Sequence, residues 1–235
     1  MNKIFGVNTI KSYLEAKKIS KLFIMNGFNH KEIIDRAKVD KIPIEFVERK
    51  KLDEMTNGAV HQGVVGVAKE VHPVSLEEII LEGKKKENPL IVMLDELNDP
   101  HNLGAILRSS DAFGVSGIIY KKKGSVSLND TVAKVSTGAI NYVKCCEVTN
   151  LTQTILKLKK EGYWVIGLDG GSNSTLKDAP SNVPLVLIVG SEGFGISRLV
   201  RENCDLIVKI PMVGHVSCLN ASVACSVALY ALTNR

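Results

Sequence analysis

The sequence lacks the features that mark membrane, secreted and zinc-binding proteins. No stretch of its 235 residues approaches the roughly 18 to 20 uncharged apolar residues of a membrane-spanning helix, and the first residues lack the apolar block of a signal peptide. The five cysteines are an odd number without a CxxC pair, which argues against a disulfide framework and against structural zinc. We therefore expect a cytoplasmic protein with no membrane partner and no metal site.

Aromatic residues are also scarce, at 5% of the chain, and their content in residues 1–70 is low, so this N-terminal segment is not expected to carry the stacking surface of a protein that reads single-stranded RNA. Charge is unevenly placed. Residues 1–70 hold 13 basic and 9 acidic side chains, a net charge of +4, whereas 71–235 hold 17 and 16, a net charge of +1. The N-terminal part could hold a polyanion through phosphate contacts, or it could simply carry a solvated lysine-rich surface.

Apolar runs alternate with helical patterns in two segments, which indicates an α/β fold in both. The first segment, 1–70, has apolar runs at 21–25, 42–47 and 63–68 and helical patterns at about 8–17, 30–38 and 51–56. Residues 71–88 read as a linker. In 89–235 the runs are apolar on both faces, which is typical of a mostly parallel sheet covered by helices; they lie at 90–94, 117–120, 142–147, 164–168, 185–189 and 206–210.

The first candidate motif, LDELNDPHNLGAILRSSDAFG, combines a buried strand, a polar loop and a helix. Asn102 is predicted to be the N-cap of the helix and Gly114 the residue just after its end. Helical spacing places Arg108 off the apolar side, with Gly104 on the same face and leaving room beside the guanidinium. Arg108 could clamp a phosphate or ribose. The alternative is an ordinary capped helix with a solvated arginine.

The second motif, LVLIVGSEGFGISRLV, is a buried strand that runs into a glycine-rich turn. Backbone N–H groups are exposed in such turns, so ligands often bind there. The GxxGxG spacing of Gly190, Gly193 and Gly195 matches neither the dinucleotide-binding fingerprint nor a P-loop. Glu192, inside the turn, could orient a polar ligand.

The third motif, IPMVGHVSCLNASVACSVALYAL, places a tight loop before a helix that begins near Asn220. Small and apolar residues along this helix suit close packing against another helix, either within the chain or across a dimer. The polar start of the helix could form a pocket wall. The alternative is a core helix with a cap.

Together NLGAILR, IVGSEGFGISRL and IPMVGHVSCLNASVA resemble the three signature motifs of the SpoU, or TrmH-type, RNA 2′-O-methyltransferases of the SPOUT class. The N-terminal part, which ends in VHQGVVG, is similar to the ribosomal-protein-like RNA-binding domain of members that modify 23S rRNA. The resemblance implies S-adenosylmethionine as cofactor, a guanosine of 23S rRNA or of a precursor ribosomal particle as substrate, a homodimer and a C-terminal deep trefoil knot. A tRNA guanosine methyltransferase and a non-catalytic RNA-binding or ribosome-assembly protein are the alternatives.

The resemblance also implies roles for individual residues. Main-chain groups that contact the cofactor fall at Gly190, Ile210 and Leu219. The catalytic set carried over is Asn102, Arg108, Glu192 and Asn220. Because a guanidinium is effectively always protonated, we expect Arg108 to stabilise a developing alkoxide by its charge, although a role as general base has been proposed for this position in the family. The chain departs from the family at Cys218, where a serine is common, so a hydroxyl is replaced by a weaker donor.

Overall fold

The structure, a computed structural model, describes residues 2–234, which form two compact units. One unit comprises residues up to 72 together with 128–142, and the other comprises 73–127 and the chain from 143 onwards. The division into 1–70, 71–88 and 89–235 treats each domain as a continuous stretch, whereas the first unit is built from two. None of the helices within residues 2–234 has the length and apolar character needed to cross a membrane.

The elements alternate along the chain as the α/β prediction requires. The strands are β1 (Asn2–Phe5), β2 (Ile19–Met25), β3 (Ile44–Val47), β4 (Val64–Ala68), β5 (Leu90–Leu94), β6 (Gly117–Lys121), β7 (Cys145–Val148), β8 (Trp164–Leu168), β9 (Leu185–Val189) and β10 (Leu206–Val208). The helices are α1 (Val7–Glu15), α2 (Lys31–Val39), α3 (Arg49–Met55), α4 (Leu76–Gly83), α5 (Pro100–Ala112), α6 (Asp130–Val135), α7 (Leu151–Lys160), α8 (Arg198–Glu202) and α9 (Ala221–Thr233).

The first unit is built on a sheet of strand order β1-β4-β2-β3, in which β4 runs antiparallel to both neighbours and β2 pairs parallel with β3. Helix α1 covers one face, where Ile10 lies so close to Gly66 that a Cβ there would meet it at 2.8 Å. On the other face Leu52 of α3 packs with Val47 and Val65. Each face therefore has its own small apolar core.

The segment 128–142 leaves the second unit between β6 and β7 and is attached to the first. Lys134 of α6 places its ammonium 5.0 Å from the ring centroid of Phe5. Ser12 of α1 donates a hydrogen bond to the carbonyl of Gly138 at 3.2 Å, and the hydroxyl of Tyr142 donates to the carboxylate of Glu15 at 2.9 Å. This segment is thus tied to β1 and α1.

The second unit contains a six-stranded sheet of order β10-β8-β9-β5-β6-β7, in which every neighbouring pair is parallel. The prediction of a mostly parallel sheet is confirmed. The central strands β5 and β9 are buried at every residue, because LIVML and LVLIV present apolar side chains to both faces. From β5 the chain adds β6 and β7 on one side and β8, β9 and β10 on the other. Such a reversal of strand order is a common ligand position in α/β sheets.

Several local predictions need correction. Asn102 is not an N-cap: Asp99 caps α5 by accepting a hydrogen bond from the His101 N–H at 2.8 Å, with Pro100 as the first helical residue. The predicted strands at 142–147 and 206–210 are shorter, at Cys145–Val148 and Leu206–Val208, and β1 was not predicted. Gly114 does follow α5 with a φ of 64°, as expected. The trefoil knot stays a prediction.

Candidate active site

A cavity of about 330 Å³ opens where β8 and β9 end. Its walls are the loops that follow these two strands, the loop after β10 and the first turns of α9. The three positions expected to contact a cofactor, Gly190, Ile210 and Leu219, all line it. The second and third motifs, which are separated by residues 201–209, therefore contribute to one cavity, at the edge of the sheet where α/β proteins bind ligands.

The glycine-rich turn after β9 is closed on itself. The N–H of Ser191 donates to the carbonyl of Gly195 at 3.1 Å, and the N–H of Gly195 donates to the carbonyl of Ser191 at 2.9 Å. A Cβ at Gly190 would lie 2.1 Å from the carbonyl carbon and oxygen of Gly195, and Gly195 itself has a φ of 65°. Glycine is required at both positions, at Gly190 for space and at Gly195 for backbone conformation.

Two carboxylates that the sequence pattern did not single out hold this turn and the start of α8 in place. Asp95, which follows β5 and is only 1% exposed, accepts a hydrogen bond from the Ser197 N–H at 2.7 Å. Asp169, which follows β8 and lines the cavity, pairs with Arg201 and accepts the Gly171 N–H at 2.8 Å. Both acids come directly after buried strands. This position is the sequence feature by which they could be recognised as candidate site residues.

Asn102, Glu192 and Asn220 meet in a network of hydrogen bonds beside the cavity. Oε1 of Glu192 accepts from Nδ2 of Asn102 at 2.7 Å, from Nδ2 of Asn220 at 2.6 Å and from the N–H of Ala221 at 3.4 Å. Nδ2 of Asn220 also donates to Oδ1 of Asn102 at 2.9 Å. Asn102 is buried, whereas Glu192 and Asn220 are exposed. The side of the network that faces solvent thus carries a carboxylate held in a fixed orientation.

Asn220 also caps α9, which explains why its amide points into this network. Its Oδ1 accepts hydrogen bonds from the N–H groups of Ser222 at 3.0 Å and Val223 at 3.3 Å, and from the Ser222 hydroxyl at 2.6 Å. With Oδ1 used by the helix, only Nδ2 is left to donate to Asn102 and Glu192. The N-cap fixes the orientation of the side chain.

Arg108, the fourth residue of the predicted catalytic set, is not part of the network. It lies on α5 six residues beyond Asn102, is exposed, and has no side-chain partner among residues 2–234. Gly104, one turn earlier on the same face, is buried. The chain therefore brings three of the four residues together and leaves the guanidinium of the fourth on the surface of the helix that carries Asn102.

Cys218 lines the cavity and is exposed, and the Ser217 hydroxyl lies 4.0 Å from its sulfur. The other cysteines are less accessible: Cys145, Cys146 and Cys225 are buried and Cys204 is partly buried. Burial raises the pKa of the Cys225 thiol to about 12. Cys218 is thus the cysteine that a ligand in the cavity would touch.

Helix α9 packs against α5 but leaves an apolar strip on its outer side. The hydroxyls of Ser109 and Ser226 lie 2.7 Å apart, and the rings of Phe113 and Tyr230 meet edge to face at 6.2 Å. Further residues of α9 face solvent although they are apolar: Val223 is 47% exposed, Val227 41% and Tyr230 61%. An exposed apolar strip of this kind is typical of a protein contact surface.

Comparison with known proteins supports the motif assignment. The model of the SpoU rRNA Methylase family matches residues 89–230, and the model described as RNA 2′-O ribose methyltransferase substrate binding matches residues 3–74. Over 232 residues the chain is 44% identical to a Staphylococcus haemolyticus protein and 41% identical to YacO of Bacillus subtilis strain 168, both assigned to the TrmH family of tRNA/rRNA methyltransferases. Each alignment covers 97% of this chain and 93% of the relative.

The fold has a counterpart among solved structures. The SpoU methyltransferase AviRb from Streptomyces viridochromogenes, crystallised with AdoMet, superposes with a TM-score of 0.82 at 24% identity. The match covers 98% of this chain and 88% of AviRb. It extends over both compact units and confirms the predicted fold class.

Proposed function

The chain belongs to the SpoU rRNA methylase family, and on this premise we propose that it transfers a methyl group from S-adenosylmethionine to a ribose 2′-hydroxyl of RNA. The observation that carries the proposal is the hydrogen-bonded network of Asn102, Glu192 and Asn220 beside the cavity lined by Gly190, Ile210 and Leu219. The residues of all three motifs converge there.

The cavity suits the proposed cofactor in size and chemistry. A volume of about 330 Å³ is within the range of small-molecule sites. Leu168, Val189 and Ile210 offer apolar walls to an adenine ring, and the backbone at Gly190 has no room for a side chain. The carboxylates of Asp169 and Glu192 complement a cation. When bound, S-adenosylmethionine supplies a methyl group on a positively charged sulfur.

The network orients the hydroxyl that receives the methyl group. Oε1 of Glu192 is occupied by three N–H donors, which leaves Oε2 to accept a hydrogen bond from the ribose 2′-hydroxyl. Asn102 and Asn220 prevent the carboxylate from rotating, and a fixed orientation of reacting groups contributes much of the rate of such reactions. The hydroxyl gives up its proton through this hydrogen bond to Oε2 of Glu192, while Arg108 stays cationic, holds a neighbouring phosphate and stabilises the negative charge that develops on the oxygen.

We propose that the active form is a homodimer that buries the exposed strip of Val223, Val227 and Tyr230 on α9. Because α9 packs on α5, this boundary lies near the helix that carries Arg108. A Val227→Glu variant is expected to elute as a monomer in size-exclusion chromatography with light scattering. Exposed Leu156 on α7 gives a control, since Leu156→Glu leaves the mass of the assembly unchanged. If the unchanged protein also elutes as a monomer, the proposed homodimer is wrong.

For the substrate we propose a guanosine ribose of 23S rRNA, either on the free RNA or on a precursor particle in the cytoplasm. The N-terminal match to a substrate-binding model and the net charge of +4 in residues 1–70 support a large structured RNA. The alternative is a guanosine of tRNA, because the Staphylococcus and Bacillus relatives are assigned to tRNA/rRNA methyltransferases.

Transfer of a radiolabelled methyl group from S-adenosylmethionine tests the proposal, with undermethylated 23S rRNA and total tRNA as separate acceptors. A 2′-O-methyl group blocks alkaline cleavage of the adjacent linkage, so the label is expected in an alkali-resistant dinucleotide from 23S rRNA. Label in mononucleotides would contradict ribose methylation, and label in tRNA alone would favour the alternative. Binding of RNA without any incorporation would indicate a non-catalytic RNA-binding protein.

A further inference from the structure

The sheet of the first unit has a second face on which lysines and phenylalanines are arranged in two rows. Side chains alternate along a strand, so Lys3 and Phe5 of β1 share a face, as do Lys21 and Phe23 of β2. Phe5 and Phe23 both pair with Val65 of β4, and Lys3 and Lys21 both pair with Val67. The two lysines are therefore held about 10 Å apart, two strand spacings, on one side of the sheet.

This face is much less covered than the opposite one. Ile4, Leu22 and Ile24 point to the α1 side and are at most 5% exposed. On the lysine side, Leu52 of α3 buries the centre, whereas Phe5 and Phe23 remain partly exposed. The side chains at the margin of this face are in contact with solvent.

Ammonium groups lie over the two partly exposed rings. Nζ of Lys21 lies 4.6 Å and Nζ of Lys51 5.7 Å from the ring centroid of Phe23, and Lys134 lies in the same way over Phe5. Lys3 lies at the same margin and donates to the carbonyl of Met55 at 3.5 Å. Interaction with the rings restrains these flexible side chains and concentrates positive charge.

One carboxylate lies among these lysines. Oε2 of Glu45 is 2.8 Å from Lys21 and Oε1 is 2.6 Å from Lys51. The hydrogen bonds from Lys21 and Lys51 lower the pKa of Glu45 to about 2, so its charge is present at any physiological pH. Among these five side chains, four lysines and one carboxylate give a net charge of +3.

We propose that this lysine face, formed by Lys3, Lys21, Lys51 and Lys134 over Phe5 and Phe23, binds the phosphate backbone of the RNA substrate, and that Glu45 weakens this binding by competing for two of the lysines. The inference rests on the proposed function, which supplies the RNA. Bases do not stack on these rings, because ammonium groups and α3 cover them. Lysine contacts to phosphate carry little sequence information, so the lysine face positions the RNA while other groups select the nucleotide.

Glu45→Gln is the sharpest test, because release of two lysines for phosphate predicts a gain in RNA binding. The full-length variant is expected to bind in vitro transcribed 23S rRNA about tenfold more tightly at low salt, with a steeper dependence on salt. A Lys21→Gln and Lys51→Gln double variant is expected to bind about tenfold more weakly. Its salt slope falls by about 0.7 to 0.9 for each phosphate that these lysines no longer neutralise.

Lys38→Gln is the matched control. Lys38 is exposed on α2 and has no side-chain partner among the residues described, so its replacement removes one charge from elsewhere in the same unit. We expect its salt slope to equal that of the unchanged chain. Melting curves and calorimetric titration with S-adenosylmethionine check that every variant folds and keeps the cofactor site.

The outcomes separate this inference from the proposed activity. If Glu45→Gln and the double variant bind RNA with the same affinity and salt slope as the Lys38→Gln control, the proposal that the lysine face binds RNA is wrong, whether or not methyl transfer occurs. The same holds if the unchanged chain does not bind the RNA. If RNA affinity changes in these variants as expected but no methyl group is transferred to any RNA, the proposed activity is wrong and the proposal for the lysine face is supported.

Discussion

Nδ2 of Asn220 donates a hydrogen bond to Oδ1 of Asn102 at 2.9 Å, across 118 positions of the chain. Each amide also donates to the same oxygen of Glu192, so a residue from each of the three motifs is held by the other two. The network couples the start of α9, the first turn of α5 and the glycine-rich turn. Removal of any member takes one hydrogen bond from each of the other two.

Asn220→Ala is expected to reduce both stability and methyl transfer. The loss of an N-cap costs about 1 kcal/mol, and Glu192 loses one of the donors that orient it. We expect a melting temperature lower by several degrees and transfer reduced about 100-fold. Asn150→Ala is the matched control, since Asn150 caps α7 by accepting from the Gln153 N–H at 3.0 Å. Equal loss of transfer in both variants would show that the effect is only one of stability.

Gly190→Ala is expected to abolish cofactor binding. A Cβ at this position would lie 2.1 Å from backbone atoms of Gly195, so the turn must move, at a cost of about 1–3 kcal/mol. Gly193→Ala provides the comparison in the same turn, because a Cβ there meets nothing within 4 Å. Calorimetric titration with S-adenosylmethionine measures the difference. If the Gly190→Ala protein binds S-adenosylmethionine with normal affinity, the cofactor site lies elsewhere.

Arg108→Ala is expected to leave cofactor affinity nearly unchanged and to lower the rate of transfer about 100- to 1000-fold. The reason is that Arg108 lies outside the cavity and outside the network, and in the proposed mechanism its charge acts on the RNA and not on the cofactor. Single-turnover rates and cofactor affinity together check this. Arg198→Ala removes an exposed arginine that pairs with Glu202, and should change neither quantity. Parallel loss of binding and rate in Arg108→Ala would contradict the assigned role.

Cys218 is expected to be the first cysteine alkylated by iodoacetamide at a pH of about 8, because it is exposed in the cavity wall. Cys225 stays a protonated, unreactive thiol, since burial raises its pKa to about 12. Peptide mass mapping gives the order of modification. Saturating S-adenosylhomocysteine should slow the reaction of Cys218 severalfold. An unchanged rate in its presence would mean that the ligand does not contact this wall.

The strands of the second unit could be predicted well because both faces of its sheet are covered. Runs such as LIVML and LVLIV have no polar residue that could shift their boundaries, and β5, β8 and β9 were predicted at their observed residues. Strand β1 was missed because NKIF is only four residues long and carries a lysine on its open face. Apolar periodicity is a weak signal at such edges.

The candidate site was predictable in part, because its residues lie in recognisable motifs. The placement of Asn102 was wrong because Asp99 and Pro100 provide a better start for α5, which moves Asn102 one turn into the helix and toward Glu192. Asp95 and Asp169 could not be singled out, since their roles depend on Ser197 and Arg201, which are distant in the sequence. Tertiary contacts of this kind have no local pattern.

The attachment of 128–142 to β1 and α1 limits how the two units can be exchanged between relatives. A chimera that takes only residues 1–72 from another protein would place foreign side chains against Lys134 and Gly138, whose native partners are Phe5 and Ser12. Grafting of the first unit therefore has to carry both pieces of chain. A single crossover near residue 72 would yield a protein with a mismatched first unit.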